Sequence, residues 1–187
     1  MRQILLLIAV LFISLSAQAQ RQYYTIIQLG GNLGFANEGF KGAFSGYHFH
    51  FIFGRNFDDK LYLGLGLGNE KFQGDYQTND PHEPNQQVFK YDYNVFPLFV
   101  DARLPIGEFN ETSKIGLLAN AGYAAAIGPA YDKGALFKAG FYYLHERLGK
   151  SNITGSLTYG YQQLTKNAFA KDFQHQQINL TIGLMLK

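Results

Sequence analysis

The stretch AFSGYHFHFIFGRNFDDKLYLGLGL, from Ala43 to Leu67, alternates through one arm, a polar turn and a second arm. On the first arm Ala43, Ser45, Tyr47, Phe49, Phe51 and Phe53 share one face, and Phe44, Gly46, His48, His50, Ile52 and Gly54 share the other. After the turn from Arg55 to Lys60, Leu61, Leu63, Leu65 and Leu67 fall on one face and Tyr62, Gly64, Gly66 and Gly68 on the other. A period of two over this length predicts two β-strands, because the side chains of a strand point alternately to its two faces. The solvent side of a soluble sheet usually carries Lys, Glu, Asp and Arg, but here the second face offers glycine and histidine. A sheet that is greasy on one side and small and nearly uncharged on the other predicts a narrow closed barrel with lipid outside and a cramped interior.

The same alternation recurs on both sides of the hairpin. It runs from about Tyr23 to Phe35, with Gly31 interrupting the apolar row and marking a bend or bulge. The second arm of the hairpin continues to Gly74. Further strands are predicted at about Val88 to Leu104, Ile115 to Ala126, Ala135 to Arg147, Ile153 to Tyr161 and Phe173 to Leu186. Within Val88 to Leu104 the row Phe96, Leu98, Val100, Ala102, Leu104 has one parity and the upstream Tyr91 and Tyr93 the other, which predicts a bulge near Pro97. Between the strands, Asp75 to Gln87 has two prolines and no apolar period and is predicted to be a surface loop, and Pro105 to Ser113 is turn-like. The sum is an all-β chain, an eight-stranded antiparallel up-and-down transmembrane β-barrel. Its strands of roughly 10 to 15 residues are long enough for tilted crossings.

The first residues set the compartment. Met1-Arg2-Gln3 precede an apolar run from Ile4 to Ser14, and Ala17-Gln18-Ala19 has the small-x-small pattern of a processing site. Residues 1–19 are therefore expected to be a signal peptide, too short to span a bilayer as a helix, with the barrel domain occupying 20–187. The chain has no cysteine, which excludes a lipid-anchored cysteine and a disulfide framework. Its net charge of +2 at pH 7, lowered by one when Arg2 leaves with the leader, gives nucleic acid nothing to bind. A periplasmic start for both ends would turn the connections after the first, third, fifth and seventh strands outward.

Three segments carry a resemblance: the processing site Ala17-Gln18-Ala19-Gln20, the strand Phe96-Pro97-Leu98-Phe99-Val100-Asp101-Ala102-Arg103, and the final alternating strand. The pattern resembles the small outer-membrane β-barrel family, OmpX/OmpA-like, and the porin-family barrel domain abundant in the Bacteroidetes. The resemblance implies an outer-membrane location, contact with outer-membrane lipid and insertion by the barrel-assembly machinery. Members often end on an aromatic residue, whereas this chain ends Met185-Leu186-Lys187.

Candidate chemistry is sparse. His48 and His50 point to one side of their strand, inward if the aromatic face meets lipid, and with His175 they offer imidazoles for a metal. Two histidines at i, i+2 specify neither ligand count nor geometry, so interior hydrogen bonding is the adopted reading. Asp101 and Arg103 share a face, and Lys138 and Glu146 point into the same interior. The interior polar network is thus predicted to comprise His48, His50, Asp101, Arg103, Lys138 and Glu146. Charges inside a narrow barrel must be paired, so a salt-bridged plug is expected rather than a proton or ion path. Asp75, Asp80, His82 and Glu83 fall on the exposed loop without the spacing of a calcium loop. His145 and Ser151 make the nearest nucleophile and base pairing, with no third member.

The expected function is non-enzymatic: an integral outer-membrane barrel with a structural or loop-mediated binding role, not an open pore, without cofactor or metal and monomeric. The partner of its outward loops is not encoded in any motif. Two alternatives compete with it, a soluble lipocalin-like barrel carrying an apolar ligand and a lipid-modifying barrel enzyme.

Overall fold

The computed structural model describes residues 23–78, 87–146, 151–165 and 172–187. The central hairpin is formed by β3 (Ser45–Phe57) and β4 (Leu61–Thr78). They are joined by a tight turn in which Lys60 N donates to Phe57 O at 2.9 Å. Asp58 and Asp59 take positive φ of 52° and 55°, the left-handed pair that suits the twist of a hairpin. The remaining long strands are β1 (Tyr23–Asn37), β5 (Phe89–Asn110), β6 (Ser113–Ala125), β8 (Gly134–His145), β9 (Ser151–Thr165) and β10 (Asp172–Leu186). Two short pieces, β2 (Phe40–Lys41) and β7 (Tyr131–Asp132), lie in connections.

Each long strand pairs antiparallel with its neighbours in the chain, and β1 pairs with β10, so the eight long strands close a ring. Closure leaves no open edge along the wall. The alternation then sorts every strand into an outer and an inner row. Leu29, Phe49, Leu65, Leu98, Leu117, Phe141, Leu157 and Leu180, one from each strand, are all exposed on the outside. That arrangement inverts a soluble carrier, which would bury these rows, and it overturns the lipocalin-like alternative.

Glycines on the inner row make room for the large residues of the lumen. A Cβ on Gly66 would stand 2.3 Å from the ring of Phe99, and one on Gly30 would stand 2.6 Å from His48 Nε2. The buried apolar residues gather in two clusters. One, with Tyr24, Ile26, Ile52, Tyr62, Tyr142 and Met185, lies toward the end that carries Tyr23 and Lys187, here the terminal end. The other, with Phe44, Phe72, Tyr91, Val95, Leu164 and Phe173, caps the far end. Mainly polar side chains fill the space between them, with Phe99 and Leu118 of the first cluster reaching in among them.

Several sequence expectations need correction. The ladder from β4 to β5 keeps one register across Pro97, from Leu67 opposite Leu98 to Glu70 opposite Val95, and skips only Phe96 and Pro97 themselves. Tyr91 and Tyr93 need no bulge, since they point inward and Tyr91 belongs to the aromatic cap. The shifts of β5 fall lower, between Pro105 and Gly107 and between Glu108 and Asn110. These shifts carry the strand through what looked like a turn from Pro105, so the actual turn is Glu111 and Thr112, where Asn110 Oδ1 accepts from Thr112 N at 3.1 Å.

Gly31 keeps regular partners on both sides, and the irregularity of β1 lies between Gly34 and Ala36. Asp75 is not in a loop, because the hairpin continues beyond the apolar belt and sets Asp75 opposite Lys90. Outside the belt this hairpin turns polar on its outer face, with Lys71 paired to Asp92 and Gln73 Nε2 donating to Asp92 Oδ1 at 3.0 Å. Asp80, His82 and Glu83 lie outside the described residues, as does the leader.

A charge-paired interior as the candidate functional site

The inner rows of seven strands converge on two ion pairs. On β5, Asp101 and Arg103 sit two residues apart on the lumen side, both fully buried. Arg103 Nε donates to Asp101 Oδ2 at 3.0 Å, Nη1 to Thr154 Oγ1 of β9 at 3.1 Å, and Nη2 to Gln28 Oε1 of β1 at 3.1 Å. One guanidinium therefore ties β5 to strands on the opposite wall. Its planar fork suits this, offering donors in several directions at once. Asp101 also accepts from Asn120 Nδ2 at 2.7 Å, and the Arg103 guanidinium stands 5.7 Å from the centre of the Tyr142 ring.

The second pair joins β4 to β8. Glu70 Oε1 accepts from Lys138 Nζ at 2.7 Å and from His50 Nε2 at 2.9 Å, with Glu70 fully buried. With Nε2 donating, His50 Nδ1 is left to accept from Gln28 Nε2 at 3.3 Å. Gln28 thus links the two ion pairs, its carbonyl on Arg103 and its amide on His50. His48 stacks on His50 with ring centres 4.7 Å apart, donates from Nδ1 to Asn32 Oδ1, and accepts from Thr181 through Nε2 at 3.0 Å. Each carboxylate has one cation, Arg103 for Asp101 and Lys138 for Glu70.

Of the residues singled out in the sequence, His48, His50, Asp101, Arg103 and Lys138 meet in this layer. Glu146 does not. It lies eight residues beyond Lys138, a distance of about 26 Å along a strand. There Glu146 joins Lys187 at 2.6 Å and Lys114 at 3.3 Å on the terminal rim. The partner that sequence reasoning missed is Glu70. It continues the inner row Tyr62, Gly64, Gly66, Gly68, and extending that parity by one step would have found it. Gln28, Asn32, Asn120, Thr154 and Thr181 gave no signal beyond parity, because neutral polar residues on an inner face look alike until their neighbours across the lumen are known.

His175 stands apart from the other histidines, beneath the aromatic cap, where its Nδ1 bonds Asn37 Oδ1 at 2.9 Å. No group of three or more His, Cys, Asp or Glu side chains suited to a metal occurs among the described residues. Ser151 is exposed at the start of β9 and His145 bonds instead to Ser113 Oγ at 3.1 Å, a hydroxyl that is itself buried.

Both ends of the lumen are covered. At the far end Phe44 stacks on Tyr91 with centres 4.1 Å apart, and Phe173 packs edge-on against both. Tyr91 donates its hydroxyl to Asp132 at 2.6 Å, and β7, which carries Asp132, pairs in parallel with β5 at Asn94 and Val95. The connection before β8 therefore folds back to complete the wall above the shorter β6. At the terminal end a ring of Asp59, Lys114, Glu146 and Lys187 closes over Tyr62, with Lys187 Nζ 3.0 Å from Asp59 and 2.8 Å from the Tyr62 hydroxyl. Burial disfavours the charged form of Asp59, but hydrogen bonds from Tyr62, Lys187 and Asn56 outweigh it and hold the carboxyl well below the usual carboxylate range.

No protein-family model matches the sequence, and no curated protein matches it. The fold is nonetheless shared with solved outer-membrane proteins. Neisserial surface protein A superposes with a TM-score of 0.53 at 10% identity, covering 89% of this chain and 96% of that one. The outer membrane protein OprG from Pseudomonas aeruginosa superposes with a TM-score of 0.51 at 12% identity, covering 88% and 95%.

Proposed function

Because the chain folds as a small outer-membrane β-barrel with an apolar belt facing lipid, we propose that it is a closed, non-enzymatic barrel that does not conduct ions. Its activity then resides in the outward connections. The observation that carries this reading is Arg103, which reaches from β5 to Gln28 on β1 and Thr154 on β9 and so bars the lumen. The aromatic cap and the rim of ion pairs support it at either end. A lipid-modifying activity lacks support from geometry, since the Ser113 hydroxyl that His145 bonds is buried.

Processing after Ala19 would leave both ends in the periplasm and the connections 38–44, 79–88, 126–133 and 166–171 facing outward. In this reading the barrel-assembly machinery inserts the chain as a monomer, and a surface partner binds the outward loops. Planar-bilayer recording of purified protein is the test. The expected result is silence from the wild type, with leak events when Arg103 or Tyr142 is cut back to Ala. Stable, large conductance steps from the wild type would sink the closed-barrel reading.

A further inference from the structure

We propose that the centre of the barrel holds one internal water molecule, bridging Lys138 of β8 to Asn179 of β10. Between them lies a cavity of about 10 Å³, walled also by His48, Asn120, Ser156, Thr158 and Thr181. That is about the space one water needs, provided polar partners surround it. Asn179 is a wall of this cavity and is 1% exposed, and its amide nitrogen donates to Thr158 O at 3.4 Å, which leaves Oδ1 as its remaining acceptor. That Oδ1 has no hydrogen-bond partner among the described residues. A buried acceptor without a donor is costly, so something in the cavity must donate to it.

The surrounding charge selects the occupant. Asp101 is balanced by Arg103 and Glu70 by Lys138, so any added ion would be buried without a counter-charge. A cation would face the Lys138 ammonium. An anion such as chloride would face the lone pairs of Asn179 Oδ1 and has no proton to give. Water meets both sides, because it accepts from Lys138, whose ammonium has three N–H donors with one taken by Glu70, and donates to Asn179. The bridge would extend the hydrogen-bonded layer from Glu70 and His50 across β9 to β10.

This inference rests on the closed interior proposed above, and the test separates the two. The full processed chain is refolded into detergent micelles, and oxygen-17 relaxation dispersion of the solvent counts waters with residence times longer than molecular tumbling. Two variants are compared with wild type, Asn179→Leu, which removes the acceptor, and Ser156→Val, which fills the cavity from β9. Each is expected to lower the count by one, with the same result after sodium chloride is replaced by sodium sulfate. An unchanged count in a folded variant overturns the site, and because the two act from different strands, either alone decides the question if the other fails to fold. Chloride-dependent broadening of the chlorine-35 signal that vanishes in Asn179→Leu would show an anion there instead. Loss of the site in a barrel that stays electrically silent leaves the closed reading standing, whereas conductance from the wild type overturns both.

Discussion

At the level of Arg103 the interior is filled by paired charge, whereas at the far end, around Phe44, it is filled by stacked rings. The two layers do the same job of excluding solvent from a narrow lumen, but they fail differently. A ring removed from the cap leaves a cavity that its neighbours can partly refill, and the loss scales with the space left behind. A charge removed from the central layer strands its partner away from bulk water, which is why breaking a buried pair costs more than the pair contributes. The centre is thus specified pair by pair, and the cap by volume.

The largest effect expected from this contrast is at Arg103. Arg103→Ala should destabilise the folded barrel by about 3 to 5 kcal/mol, read by urea unfolding in lipid vesicles, because Asp101 is left buried without its cation. Adding Asp101→Asn to Arg103→Ala should recover a large part of that loss. No second substitution at Asp101 should rescue Phe44→Ala. If the double variant is no better than Arg103→Ala, the central layer is held by packing after all and the contrast with the cap disappears.

Next in size is the difference between the two faces of β3. Phe49→Arg places a charge in the lipid belt and should cost about 2 to 4 kcal/mol if it lies near the midplane. His48→Asn, on the inner face and able to keep part of its hydrogen bonding, should cost less in the same vesicle assay. Equal costs would contradict the inside and outside assignment.

The cap has one polar contact that sharpens the comparison. Tyr91→Phe removes the hydroxyl that bonds Asp132 while keeping the ring on Phe44, and should cost about 1.5 to 3 kcal/mol as the loss of a hydrogen bond to a charged group. A loss close to zero in thermal unfolding would mean that the backbone pairing of β7 with β5 holds the connection before β8 in place without this bond.

The smallest effect is at the terminal rim, where the charges are partly solvated. The carboxyl of Asp59 is depressed in the folded protein, so its contribution is present above the unfolded carboxylate pKa near 4 and is lost as pH falls below that toward the folded value. For a rim ion pair the effect is about 0.2 to 1 kcal/mol, and salt should weaken it. Unfolding free energies of wild type and Asp59→Asn, measured from pH 7 down to pH 3, should converge on acidification. A gap that widens toward low pH would reverse the sign assigned to this group.

Alternation alone determined which residues of each long strand face lipid and which face the lumen. A strand's side chains alternate by covalent geometry, so the rows Phe49, Phe51, Phe53 and Gly64, Gly66, Gly68 separate before any partner is known. The same logic, carried one step further, reaches the missed Glu70, and it reaches Tyr91 and Tyr93 once an aromatic residue is no longer equated with a lipid-facing one. Only the closed barrel decided who meets whom across the lumen. Lys138 finds Glu70 from 68 residues away and Arg103 finds Gln28 from 75 away, contacts that depend on ring closure and on the register of every ladder between them. Glu146, on the same parity as Lys138, is carried to the rim simply by distance along the strand. Parity is a local property of the chain, whereas pairing in a lumen is set by the height and angle at which eight strands arrive together, and no stretch of sequence contains those.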